Sequence, residues 1–196
     1  MYAIFVDILY QGILEMKLIL VLSHCILNNA SKVETDEAEL AAEYKLRDEL
    51  MELVGKKRVQ VIQLPCPEFI LYGSRRWGHV RDQFDNPFFR RECRRLAEPI
   101  ILQLEEYCSR NDSFAVLGIV SVEGSPSCGY RLTCTGENWR GELGSDAARI
   151  AEIQKSLEMK NEPGVFMGII EEAVEEAGLE IPILTMNEAV ELLNQI

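Results

Sequence analysis

The chain has 196 residues, of which 47% are apolar and 27% are charged, a composition typical of one globular domain with a substantial core. Its formal net charge of −12 argues against a nucleic-acid polymer as partner, because neutralising phosphates needs a basic surface. No basic stretch opens the chain as in a signal peptide, and no apolar run reaches the roughly 18 residues of a membrane span. We therefore expect a cytoplasmic protein, with no membrane partner, whose six cysteines are free or metal-bound.

Strands and helices are predicted to alternate along the chain. A first strand is complete from Met16, so we expect residues 1–15 to be an N-terminal extension and residues 16–196 a single domain. Apolar runs predict strands at residues 18–23, 59–64, 114–122 and 181–185. This order predicts a single-domain α/β fold with an open, mainly parallel, Rossmann-like sheet and helices on both faces.

Helix-boundary residues mark the segments between the strands. Asp36 and Glu39 are a plausible capping pair for a first helix, which Gly55 can end in a left-handed conformation. Residues 65–86 are expected to be a long loop. A second helix is predicted from Pro87 to about residue 109, with a kink or a break at Pro99.

The last third of the chain has a glycine-rich segment followed by helices. Residues 124–144 contain five glycines and little periodicity, which indicates loops and a possible hairpin. Residues 145–160 are expected to be helical, and residues 163–177 show the clearest helical stripe, closed by Gly178. A short helix from about Asn187 ends the chain.

Three cysteines follow three of the predicted strands. Cys25, Cys66 and Cys128 are about 40 and 60 residues apart, and each lies in a predicted loop. Ligands of an open α/β sheet bind beyond the carboxyl ends of its strands, so these thiols are expected to converge there. Three soft ligands indicate a metal or cluster with one open position. The alternative is that the cysteines only fill a crevice at the ends of the strands.

The other three cysteines are interpreted differently. Cys93 and Cys108 fall on the buried stripe of the second predicted helix, where a thiol behaves as a small hydrophobe. Cys134 lies in an uncertain loop; it is a candidate fourth ligand, although a structural role is favoured.

Four motifs carry a resemblance to a known family. They are Ser-His-Cys-Ile-Leu at residues 23–27, Pro-Cys-Pro-Glu at 65–68, Gly-Ser-Arg-Arg-Trp-Gly-His at 73–79 and Ser-Pro-Ser-Cys-Gly at 125–129. In these the chain resembles the thiouracil desulfidase-like family over roughly residues 16–141, in a branch of desulfidase-related proteins of unsettled substrate. The first loop and the region after Glu68 depart from desulfidases of known activity, so the resemblance does not identify the substrate.

The resemblance implies a [4Fe-4S] cluster held by Cys25, Cys66 and Cys128, with one iron left open to bind and polarise a thiocarbonyl. The implied reaction is the non-redox removal of sulfur from a small thiocarbonyl compound, such as a thiolated base, nucleoside or nucleotide. The family uses an acidic residue and a serine near the cluster. Glu68 and Ser127 are the best matches by proximity, and Glu123 and Ser125 are their rivals.

Other polar residues near the three cysteines are candidates for the site. His24, beside Cys25, is a candidate general acid or base. Arg75, Arg76 and His79 follow Cys66 in a segment rich in arginine, and with Ser125 they are candidate substrate-binding residues. Arginine forks suit phosphate and carboxylate groups, so these residues favour an anionic substrate.

Two other functions remain open on sequence grounds. One is a hydrolase or transferase with a cysteine nucleophile, in which Cys128 is activated by His24 or His79. The other is a metal-binding or cluster-binding sensor module without catalysis.

Overall fold

The computed structural model describes residues 16–142 and 144–196, apart from the side chains of Glu37 and Glu39. The expected extension, residues 1–15, lies outside them. The described strands are β1 (Lys17–Leu22), β2 (Gln60–Gln63), β3 (Phe114–Val120), β4 (Thr133–Gly136), β5 (Leu157–Lys160) and β6 (Ile183–Leu184). Four of them form a parallel sheet in the order β2-β1-β3-β6. The expected α/β fold with an open parallel sheet is confirmed.

Helices cover the sheet and connect its strands. They are α1 (His24–Leu27), α2 (Glu37–Lys56), α3 (Pro67–Tyr72), α4 (Arg81–Phe84), α5 (Pro87–Ser109), α6 (Ala147–Lys155), α7 (Val165–Glu176) and α8 (Met186–Gln195). Helix α5 packs against α7, and α2 packs against α8. No helix in the described ranges is long and apolar enough to cross a membrane.

The central strands form the core because they are apolar on both faces. Leu20, Val21 and Leu22 of β1 are fully buried, as are Ile119 and Val120 of β3. A parallel sheet covered on both faces needs such continuous apolar runs, and burying each large side chain contributes about 2 kcal/mol. This rigid sheet fixes the positions of the loops that follow its strands.

The segment between β2 and α5 is more regular than predicted. The expected loop over residues 65–86 contains the short helices α3 and α4. Pro67 occupies the first turn of α3, where its missing N–H costs nothing, and Cys66 caps that helix. Helix α3 is too short to show a 3.6-residue periodicity, so the pattern could not reveal it.

The first long helix ends later than predicted. Helix α2 continues through Gly55, and the left-handed residue beyond it is Arg58, with a φ of 55°. The Val59 N–H donates to the Val54 carbonyl at 3.0 Å, which closes a Schellman-type turn around Arg58. At the other end, Asp36 accepts from the Ala38 N–H at 2.8 Å, which confirms Asp36 as the N-cap.

Helix α5 continues through Pro99, so of the expected kink or break the break does not occur. Pro99 is exposed, while Leu96, Ala97, Ile100 and Ile101 beside it are buried. Packing of this stripe on both sides of the proline therefore outweighs the loss of one backbone hydrogen bond.

A two-stranded ribbon replaces part of a predicted helix. Strand β5, Leu157–Lys160, pairs antiparallel with β4, although residues 145–160 were expected to be helical throughout. The sequence Leu-Glu-Met-Lys alternates apolar and polar residues, which is the period of a strand. The expected final helices are confirmed as α7, followed by Gly178 with a φ of +67°, and α8.

Candidate functional site

The three cysteines Cys25, Cys66 and Cys128 lie beyond the carboxyl ends of β1, β2 and β3, which are neighbours in the sheet. Cys25 lies in the short helix α1 and not in a loop as expected, Cys66 caps α3, and Cys128 lies in a turn. Because the strands are parallel, all three segments begin at one edge of the sheet. The topology therefore brings the three segments to one place.

The thiols also act on one another electrostatically. Burial raises the pKa of Cys128 well above its usual range, and negative charge on Cys66 and Cys25 raises it further. Burial raises the pKa of Cys25 to about 12, to which Cys66 also contributes. Burial likewise raises the pKa of Cys66. Burial is the largest cause at each of the three thiols, and the charge of Cys66 acts on both Cys25 and Cys128.

Cys66 is held at the start of α3 by its own sulfur. The Cys66 Sγ accepts a hydrogen bond from the Phe69 N–H at 3.3 Å, as a serine or aspartate does at an N-cap. Pro67 fixes the first turn of the helix. The start of helix α3 therefore fixes the position of the Cys66 sulfur beyond the end of β2.

The turn that carries Cys128 is closed by a serine side chain. The Ser125 Oγ accepts from the N–H groups of Ser127 at 3.3 Å and Cys128 at 3.0 Å. A Cβ atom on Gly129 would lie 2.2 Å from the carbonyl oxygen of Leu132, so only glycine fits there. The structure of this turn accounts for Ser125 and Gly129 of the Ser-Pro-Ser-Cys-Gly motif.

Helix α7 anchors the same turn from the other side. Its first N–H groups have no partner within the helix, and those of Val165, Phe166 and Met167 donate to the carbonyls of Pro126 and Ser127 at 3.1, 3.0 and 2.9 Å. The position of Cys128 therefore depends on α7 as well as on β3.

A buried polar network lies beside Cys128. The Ser127 hydroxyl donates to the Glu68 Oε1 at 2.5 Å, and its oxygen is 3.5 Å from the Cys128 sulfur. The Glu68 Oε2 accepts from the Arg76 Nε at 3.3 Å. Glu68 and Ser127 are 6% and 1% exposed, so the network is shielded from bulk water. The structure thus brings together Glu68 and Ser127, which lie 59 residues apart in sequence.

The rival residues, Glu123 and Ser125, make mainly structural contacts. Glu123 accepts from the Ser121 hydroxyl at 2.7 Å and from the N–H groups of Tyr130 and Arg131, both at 3.1 Å. Both of its carboxylate oxygens are therefore occupied within the turn. Ser125 closes the Cys128 turn, although its Oγ is also 3.4 Å from the Ser127 Oγ.

His24 is half-buried and oriented by a glutamine. The Gln63 Nε2 lies 2.7 Å from the His24 Nδ1 and, being a donor, leaves the imidazole proton on Nε2. Burial lowers the pKa of His24, which favours this neutral form. No sequence signal identified Gln63 as the partner.

His79 lies among aromatic rings. Its ring centroid is 4.8 Å from Tyr72 and 4.9 Å from Phe84, and its buried Nδ1 has no hydrogen-bond partner among the described residues. Burial lowers the pKa of His79, and the negative charge of Glu68 opposes that change. His79 is thus close enough to the site to respond to Glu68. A cleft of about 420 Å³ adjoins it, lined in part by Trp77, Trp139 and Arg140.

The arginine-rich segment is largely neutralised by ion pairs. Arg81 and Arg90 both pair with Asp85, at 2.9 and 2.6 Å. Arg94 and Arg95 pair with acidic residues near the surface. Arg75 is exposed, whereas the side chain of Arg76 is only 4% exposed. Arg75 and Arg76, adjacent in sequence, therefore occupy opposite environments.

The remaining cysteines lie on other elements of the fold. Cys93 is fully buried in α5, whereas Cys108 is only half-buried against the core. Cys134 lies in β4 opposite Met159, not in a loop. Burial and the charge of Asp82 raise the pKa of Cys134, with no contribution from the other thiols. All six thiols are free.

The three thiols are the soft donors that the segments beyond β1, β2 and β3 offer to a metal or cluster. Within the described ranges, no three His, Cys, Asp or Glu side chains are arranged to hold one metal ion. The thiolates of a four-iron cluster bind different iron atoms, so they lie farther apart than the ligands of one ion. Thiols are the ligands that such clusters take, so the chemistry of these three side chains is compatible with one.

Comparison with known proteins gives one informative match. No protein-family model matches the chain, and no solved structure matches it. The uncharacterized protein MJ0003 of Methanocaldococcus jannaschii is 39% identical over 113 residues, which are 57% of this chain and 67% of that protein. The chain therefore belongs to the same family as the uncharacterized protein MJ0003 of Methanocaldococcus jannaschii.

Proposed function

We propose that the protein is a desulfidase, which hydrolyses a small thiocarbonyl compound to the corresponding carbonyl compound and hydrogen sulfide. In this proposal Cys25, Cys66 and Cys128 hold a [4Fe-4S] cluster with one open iron. When bound, the cluster would supply a Lewis acid with affinity for sulfur. The observation that carries the proposal is the buried Glu68–Ser127 hydrogen bond beside Cys128.

Glu68 and Ser127 are assigned the proton transfer from the attacking water. The Ser127 hydroxyl donates to Glu68, so its lone pairs are free to accept a proton while its own proton passes to the carboxylate. The C–O bond then forms, the C=S bond breaks and the sulfur leaves as hydrosulfide. The electrons balance without an external donor, because carbon and sulfur keep their oxidation states.

His24 is assigned a hydrogen-bonding role next to Cys25. Its Nδ1 is occupied by Gln63, so its Nε2–H is the group available to donate a hydrogen bond to the departing sulfur. The proton that the hydrosulfide carries is the one that Glu68 has taken up from the attacking water. Arg75, Arg76, His79 and Ser125 complete the proposed site. Of these, exposed Arg75 is the one available to hold an anionic group on the substrate.

A cysteine nucleophile has less support. A nucleophilic thiol needs a lowered pKa or an adjacent base, and burial raises the pKa of all three cysteines. His24 is hydrogen-bonded to Gln63, and the buried His79 Nδ1 has no partner within the part of the chain that the structure describes. A binding module without catalysis would not need a buried acid hydrogen-bonded to a serine beside one thiol.

The test is sulfide release by anaerobically reconstituted protein from thiolated bases, nucleosides and nucleotides. Glu68→Gln should lower turnover by about 100-fold or more, the usual size of a general acid–base contribution, with unchanged iron content. Glu123→Gln tests the rival acid, which accepts hydrogen bonds within the segment that carries Cys128. If none of these compounds releases sulfide, or if Glu68→Gln turns over at the wild-type rate, the proposed mechanism is wrong.

A further inference from the structure

One buried guanidinium group connects three loops of the site. The Arg76 Nη2 donates to the Ser31 carbonyl at 2.7 Å, its Nη1 donates to the Gly73 carbonyl at 3.1 Å, and its Nε donates to Glu68 at 3.3 Å. Arg76 and Glu68 have side chains that are only 4% and 8% exposed. Every nitrogen of this guanidinium therefore has a partner within the protein.

These contacts reach all three cysteine-bearing segments. Ser31 ends the 3-10 turn that directly follows the Cys25 helix, where its hydroxyl also donates to the Asn28 carbonyl at 2.7 Å. Glu68 lies in the first turn of the helix that Cys66 caps. Glu68 in turn holds Ser127, the neighbour of Cys128. A continuous chain of hydrogen bonds thus runs from the first segment through Arg76 to the third.

We propose that Arg76 is a positioning residue that assembles the three-thiol site, and that it does not bind substrate. The chain Ser31–Arg76–Glu68–Ser127 holds the three cysteine segments together before any cofactor is bound. This inference rests on the proposed function in one respect, namely that the three thiols form a site for a cluster. Its first test needs no bound iron.

The energetics favour this role. A buried carboxylate without its cationic partner is strongly destabilising, so the loss of Arg76 would force Glu68 to reorganise. Lysine cannot replace Arg76, because one ammonium group cannot reach three acceptors arranged around a planar fork. Among the arginines of residues 75–95, Arg95 is a suitable control, because its side chain is 63% exposed and its ion pair is with Glu92, within its own helix.

The first experiment measures the alkylation of individual cysteines by iodoacetamide in the metal-free protein, resolved by mass spectrometry. Arg76→Ala should speed the alkylation of Cys128 by about tenfold or more, because that thiol is shielded only while the segments are held together. Methylguanidinium added to Arg76→Ala replaces the missing guanidinium group and should slow the alkylation of Cys128 again. Cys93 is the internal control for global unfolding, and its rate should not change. Arg95→Ala should match the wild type at both cysteines.

Each result decides the inference. If Arg76→Ala does not fold, the same alkylation rates are measured in Arg76→Lys, because lysine keeps the positive charge but lacks the planar guanidinium group. Wild-type alkylation of Cys128 in a folded Arg76 variant would overturn the proposal, and so would a parallel rise at Cys93 that methylguanidinium does not reverse.

Iron content separates this inference from the proposed function. Wild-type protein that binds no iron after anaerobic reconstitution contradicts the desulfidase proposal but not the role of Arg76, which alkylation tests alone. Wild-type protein that binds iron should lose at least about half of it in Arg76→Ala and regain it with methylguanidinium. Full iron content in Arg76→Ala would contradict the positioning role.

Discussion

Gly164 lies against the backbone of Ser127 so closely that a Cβ atom at position 164 would be 2.7 Å from the Ser127 carbonyl oxygen. The Gly164 N–H also donates to the Gly129 carbonyl at 2.9 Å. The residue before α7 therefore packs directly against the turn that carries Cys128. Glycine is required at position 164 because there is no space for a Cβ atom, although its φ of −62° suits any residue.

Gly164→Ala should destabilise the protein by about 1–3 kcal/mol, the usual cost of forcing an atom into a packed site. Gly168→Ala is the matched control within α7, because its Cβ would meet Pro163 at an ordinary 3.5 Å. That substitution should be neutral or stabilising by up to about 1 kcal/mol, since alanine favours helix. Urea unfolding measures both, and equal midpoints would show that the close approach at Gly164 is unimportant.

Asp85 should make stability depend on acid pH. A side-chain hydrogen bond from Arg90, with further help from Arg81, lowers the pKa of Asp85 below its ordinary value of 3.8. Because the folded-state pKa is the lower one, the stabilisation is full above the unfolded pKa and is lost as the pH falls through the folded pKa. Asp85→Asn should therefore flatten the decline of the urea midpoint below about pH 5. Curves that stay parallel at all pH values would contradict this.

Cys93 should matter for stability and not for iron binding. Cys93→Ala leaves a small cavity in α5 and should cost about 1 kcal/mol, with iron content unchanged. Cys108→Ala should cost less, because Cys108 is only half-buried. Thermal unfolding and iron analysis of the two variants check this, and a loss of iron in either would place the cluster elsewhere.

The sequence predicted the sheet because its strands are continuous apolar runs, and it placed Cys25, Cys66 and Cys128 at the ends of three of them. It did not reveal α3, which is too short for a clear period, and it assigned the four residues of β5 to a helix although they alternate as a strand does. It also did not reveal the contacts of Arg76. Two adjacent arginines look alike in sequence, and only the folded chain shows that Arg75 is exposed while Arg76 is buried against Glu68.

The pairing of Glu68 with Ser127 could be anticipated only through family resemblance. Nothing in the local pattern of either residue encodes a contact across 59 positions. The fold produces it because β2 and β3 flank β1 in the sheet, so the segments after both strands meet at one edge. Long-range side-chain contacts of this kind depend on strand order, which hydrophobic periodicity does not contain.

The most direct test of the central claim is the amount of iron and acid-labile sulfide per chain after anaerobic reconstitution. The account predicts about four of each in the wild-type protein, the content of one four-iron cluster. It predicts large losses in Cys25→Ser, Cys66→Ser and Cys128→Ser taken singly, with Cys134→Ser close to the wild type. Wild-type iron content in any of the first three variants, or no bound iron in the wild type, would contradict the account.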